Sequence, residues 1–223
     1  MTARSFTRAA FLAGIASIAA VATAPEAFAA RNADVERYVQ ENATAALRTL
    51  GDRSISSTQR RQLFDQLMAQ FADMPRIANF VLGRYSASLR ADAALRTEWN
   101  RTFQEYMIAI YEDQLQAFNG STIHVTNSVE RDPGRDVIVH SEMRPRSGGG
   151  SPMQVQWRLL RAGAGWKVVD VALAPEGNQI WLAQQQQQDF LAQLGRSNGD
   201  IRGLMSTLRT QTAAMRQRIV ARS

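Results

Sequence analysis

Apolar positions recur at helical spacing over the first third of the chain after residue 30. Between Asp34 and Leu50 they fall at Val35, Tyr38, Val39, Ala46, Leu47 and Leu50, and Gly51 stops the run. Ser57 or Thr58 suits the cap of a second helix that carries Leu63, Phe64, Leu67, Met68 and Phe71. Pro75 fits the first turn of a short helix over Arg76–Leu82, closed by Gly83. A long amphipathic helix is predicted over Asp92–Phe118, ended by Gly120. The period then changes to two. Thr122–Val129, Asp136–Met143, Met153–Leu160 and Trp166–Leu173 read as strands. Ile123, Val125 and Val129 are expected on one face of the first, and Val155, Trp157 and Leu159 on one face of the third. Turns are marked by Asp132-Pro133-Gly134, by Ser147 to Gly150 with Pro152, and by Gly163-Ala164-Gly165. Such short connections favour an antiparallel meander. Helical spacing returns over Ile180–Leu194, which includes the run Gln184 to Gln188, and over Ile201–Ile219. Helices, then sheet, then helices predict one α+β domain.

The first thirty residues have a different pattern. Arg4 and Arg8 precede an apolar stretch from Ala9 to Ala24, followed by Ala27-Phe28-Ala29. A stretch of that length is short for a membrane span, and the small-x-small triplet suits a signal peptidase. Residues 1–29 are therefore expected to be a signal peptide, and 30–223 a single domain with helices over 34–118, sheet over 121–174 and helices over 179–219. The chain has no cysteine, which suits export to a bacterial periplasm and excludes a lipoprotein anchor.

Composition narrows the chemistry. The chain has 223 residues, 45% of them hydrophobic, enough for a sizeable core. Without cysteine, thiol catalysis and cysteine-ligated metals are excluded, and two histidines rule out a multi-histidine metal site. The net charge is +6, but the basic residues are spread along the chain and do not form a stripe interleaved with aromatics, so nucleic acid is not an expected partner. His124 and His140 lie in no recognisable nucleophile motif, and Gly148-Gly149-Gly150-Ser151 lacks the Lys and following helix of a phosphate loop. No catalytic residue, metal or cofactor is called for. The aromatic and apolar material on the long helix and the sheet fits either a filled core or the wall of an apolar pocket.

Several segments together resemble one family. Asp73 followed by Val81-Leu82-Gly83-Arg84-Tyr85, Phe103-Gln104-Glu105-Tyr106-Met107 with Tyr111, Leu115, Phe118 and Gly120, Val155-x-Trp157-Arg158, Trp166 to Val171, and Gly199 with Gly203, Leu204 and Leu208 are similar in order and spacing to the MlaC-like, toluene-tolerance group of periplasmic phospholipid-shuttling proteins. The chain departs from that pattern over Pro175–Leu182, where the stretch is longer and the family's serine and arginine are missing. That departure leaves room for a different cargo, such as a hopanoid-type lipid.

The resemblance implies a curved antiparallel sheet of four strands or slightly more against a helical layer, an NTF2-like cone enclosing an apolar cavity. It implies a non-enzymatic carrier that holds phospholipid acyl chains and serves outer-membrane lipid asymmetry. Its implied partners are an inner-membrane ABC-type lipid transporter with a hexameric lipid-binding subunit, and an outer-membrane lipoprotein complex. The residues expected to line the pocket are Val81, Leu82, Tyr85, Trp99, Phe103, Met107, Ile110, Tyr111, Val125, Val139, Val155, Trp157 and Val168. Headgroup selectivity is expected to be low, with the headgroup in water at the mouth. Two other readings stay open: an exported enzyme of the NTF2-like type using His124 or His140 with Asp170, and an interaction protein with a filled core.

Overall fold

The computed structural model describes residues 31–52, 54–115, 120–146, 152–174 and 179–221. The expected signal peptide, the Ser147–Gly150 turn and the first half of the Pro175–Leu182 departure lie outside these residues. Among the described residues there are seven α-helices and one antiparallel sheet. α1 spans Ala33–Gly51, α2 Ser57–Phe71, α3 Met74–Val81, α4 Ala87–Ala91, α5 Ala93–Leu115, α6 Leu182–Arg196 and α7 Ile201–Ala221. The strands β1 (Thr122–Asp132), β2 (Asp136–Arg144), β3 (Met153–Ala162), β4 (Gly165–Ala174) and β5 (Ile180–Trp181) pair in chain order, all antiparallel. The chain is α+β with the expected meander, and the sheet has five strands.

Local chemistry sets the helix starts. The Asn32 side chain accepts from the Val35 N–H, and Ser56 forms a capping box with Gln59. Asp73 accepts from the Arg76 N–H, so α3 begins at Met74, two residues before the expected start. Asp92 accepts from Leu95 N–H at the start of α5. Ile180 and Trp181, expected in the helix, pair with Leu173 and Ala172, and α6 starts only at Leu182. That helix ends where Asn198 and Gly199 adopt φ of 53° and 80° and Gly199 N–H donates to Leu194 O at 2.7 Å.

Two bulges set which side chains face inward. Between Val125 and Asn127 of β1, Thr126 has no Cα partner on β2. The alternation therefore flips, and Ser128, not Val129, is the buried residue of that stretch. Its hydroxyl accepts from Asn32 N–H at 2.8 Å and donates to Glu36 Oε1 at 2.7 Å. On β4, Val169 is the extra residue: Leu159 faces Val168, whereas Trp157 faces Val171. Both Val168 and Val171 thereby lie on the face that carries Trp157.

The core has two parts. One joins α3, α5, α6 and α7 around Trp99, Phe103, Phe190 and Leu194. The other packs Val35 and Val39 of α1 and Phe71 of α2 on Val137, Val139 and Leu159 of the sheet.

Candidate functional site

Between these two packed regions lies an apolar cavity of about 140 Å³. α5 presents Phe103, Met107 and Tyr111 to it, residues four apart and so on one stripe of the helix. The sheet contributes Ile123, Met143, Met153, Val155 and Trp157, with Val168 to Val171 and Leu173 from β4. α1 supplies Ala43, Ala46 and Leu47, α2 supplies Phe64, Met68 and Phe71, and α6 supplies Leu182, Ala183 and Gln186.

The wall is held by polar groups that are themselves satisfied. Trp157 Nε1 donates to Ser141 Oγ at 2.9 Å, and that hydroxyl donates to Val155 O at 3.1 Å. The Trp157 ring packs 5.5 Å from Phe71, which packs 5.6 Å from Tyr38. Gln40 joins α1 to the β1 bulge: its Nε2 donates to Ile123 O at 2.9 Å and its Oε1 accepts from Val125 N–H at 2.9 Å.

Two titratable groups border the cavity, and both are pushed toward their neutral forms. Burial raises the Asp170 carboxyl against the two backbone N–H groups that bond it. Burial and the neighbouring Asp170 charge push the Tyr111 hydroxyl up to about 12. A site that penalises charge in this way favours an uncharged, apolar occupant.

Seven of the thirteen expected lining residues are on the wall: Val81, Phe103, Met107, Tyr111, Val155, Trp157 and Val168. The other six are elsewhere. Leu82 and Trp99 are fully buried in the helical core, where Trp99 Nε1 donates to Ala78 O at 2.8 Å and its ring stacks on Phe103. Tyr85 and Ile110 pack against the outside of the same core. Val139 and Val125 lie under α1, in contact with the cluster of Val35 and Val39. The reason is common to the two valines: α1 covers that part of β1 and β2, so those strands reach the hollow only through Ile123 and Met143, beside β3 and β4.

Sequence reasoning missed the α1, α2 and α6 walls. One signal was available. Of the eight methionines, Met68, Met74, Met107, Met143 and Met153 line the cavity. Unbranched thioethers suit a wall that must adapt to irregular apolar shapes. Of the residues the enzymatic alternative names, Asp170 lines the cavity and accepts from two backbone N–H groups, whereas His124 and His140 do not line it. Among the described residues no group of three His, Asp or Glu is placed to hold a metal ion, and no helix is long and apolar enough to cross a membrane.

A family model described as "MlaC protein" matches residues 40–210. The fold is similar to the solved structure of a phospholipid-binding protein from Ralstonia solanacearum in complex with a phospholipid, with a TM-score of 0.68 and 22% identity over 81% of this chain and 97% of that one. No curated protein matches.

Proposed function

We propose that this chain, which belongs to the MlaC family, is a non-enzymatic periplasmic carrier that shuttles phospholipid between the two membranes by sheltering its acyl chains. The observation that carries this reading is the apolar cavity between the helices and the sheet, with five methionines on its wall. The Ralstonia solanacearum protein of the same fold, seen with a phospholipid, supports the cargo class.

The need for a carrier follows from acyl-chain hydration. Each methylene moved into water costs about 0.8 kcal/mol, so two chains of roughly 15 methylenes cost on the order of 24 kcal/mol. A protein that keeps them dry removes most of that barrier and needs no catalytic group. The cavity, about 140 Å³, is of the size that holds a single apolar ring, near the roughly 150 Å³ cavity known to stay dry and bind benzene. Two acyl chains therefore require its walls to part, and side chains such as Met68, Met143 and Met153 can re-pack around them.

In this reading the export signal lies in residues 1–29. The partners are an inner-membrane ABC-type lipid transporter with its hexameric lipid-binding subunit, and an outer-membrane lipoprotein complex. ATP is hydrolysed by the transporter.

The test is native mass spectrometry of the protein purified from a bacterial periplasm, followed by organic extraction. One phospholipid mass per chain is the expected result. A bare chain that also takes up no lipid from vesicles overturns the reading. A hopanoid-type mass would replace the cargo and keep the carrier.

A further inference from the structure

An open cleft of about 550 Å³, lined by both polar and apolar groups, adjoins the apolar cavity: Leu47 and Ile123 form part of both walls. It lies where the end of α1 meets the start of β1 and the end of β2, and it is lined by Thr44, Arg48, Asp52, Ser121 and Arg146 among others. Its charges are unevenly matched. Asp52 Oδ1 accepts from both the N–H and the hydroxyl of Ser54, at 2.8 and 2.6 Å, and those bonds hold its carboxyl below the usual range. Arg48 and Arg146 are two of the arginines that form no ion pair among the described residues, and they are the two that line this cleft. The Arg146 stem also has a fitted seat. A Cβ on Gly120, which has φ of 79°, would stand 2.5 Å from Arg146 Cδ, so the bare glycine lets the side chain lie against the backbone.

We propose that this cleft is a headgroup site, in which Arg48 and Arg146 bind the phosphate of a net-anionic phospholipid whose chains occupy the adjoining cavity. The inference rests on the carrier reading above. A phosphodiester presents oxygens that guanidinium groups match well, and an anionic headgroup leaves no cation to repel them. The shared wall at Leu47 and Ile123 places the cleft where the polar and apolar parts of one lipid meet. The carrier then discriminates among headgroups, contrary to the low selectivity expected from the sequence.

The experiment loads the protein from vesicles of equimolar phosphatidylglycerol and phosphatidylcholine and measures the bound ratio by lipid mass spectrometry. The native protein is expected to be enriched in phosphatidylglycerol by about threefold or more, the scale of one or two partly exposed ion pairs. The R48Q/R146Q variant should fall to the vesicle ratio with lipid per chain unchanged. A control, R90Q/R101Q, removes the same charge from exposed positions on α4 and α5 and should keep the enrichment. Equal ratios in native protein and R48Q/R146Q, with lipid still bound, overturn the headgroup site and leave the carrier intact. Absence of lipid from the native protein overturns both. Inorganic phosphate titrated into delipidated protein separates the two sources of phosphate. Binding that depends on Arg48 and Arg146 while the headgroup ratio does not would mark a free-phosphate site and overturn the assignment.

Discussion

The Asp170 carboxylate of β4 caps helix α6 through Ala183: its Oδ1 accepts from Ala183 N–H at 2.9 Å and from its neighbour Val171 N–H at 2.8 Å. Trp181, the residue that precedes α6, makes no side-chain cap of its own. The acid thus serves in place of a local cap and ties the sheet to the helix that closes one side of the cavity.

Replacing Asp170 by Ala should cost about 1–3 kcal/mol, because it leaves the buried Ala183 N–H unpaired. Asp170→Asn keeps an acceptor and should cost much less. The pH dependence separates the two effects. Burial raises the Asp170 carboxyl above its ordinary 3.8, so its contribution to stability is fully present below that value and is lost as pH rises through the folded value. Asp170→Asn should therefore gain on the native protein as pH rises from 4 to 7. Thermal melting across that range is the check, and a constant difference between the two proteins would contradict it.

A charge in the cavity should abolish lipid retention. Met153→Asp, at a partly buried wall position, is expected to fold and to lose bound lipid, whereas Val155→Asp, nearly fully buried, should lose lipid and stability together. Lipid extraction alongside circular dichroism distinguishes them. A folded Met153→Asp protein with its lipid still bound would count against the wall described above.

Ser128→Ala should destabilise by about 1–2 kcal/mol, since the hydroxyl satisfies Asn32 N–H and bonds Glu36. Denaturant unfolding measures it. The slope with denaturant concentration should stay unchanged, because little buried area is lost.

Gly199→Ala should cost about 1 kcal/mol or more. Its φ is 80°, and an added Cβ would stand 3.0 Å from Tyr85 Cε1. A melting temperature equal to the native value would contradict this prediction.

The amphipathic periods alone were enough to read α1, α2, α5 and α7 and the four long strands, because each element must present one apolar face, and that requirement is local. The turn residues likewise specified a meander. Sequence also carried the family, through the order of segments from Asp73 to Leu208. Other features depended on distant parts of the chain. The bulges at Thr126 and Val169 reverse the facing of the residues after them, and an unbroken period of two does not reveal where an extra residue is absorbed. Ile180 and Trp181 became a strand because β4 offered them an edge.

The pocket shows the same division. The apolar character of Val139 and Val155 is identical in sequence, yet α1 covers the first, while the second faces the hollow. Local pattern determines that a residue is buried. Which element arrives to bury it, and whether that element leaves a space, is a property of packing between segments far apart in the chain. For the same reason Arg48 and Arg146, ninety-eight positions apart and unremarkable in the sequence, share one cleft only in the folded chain.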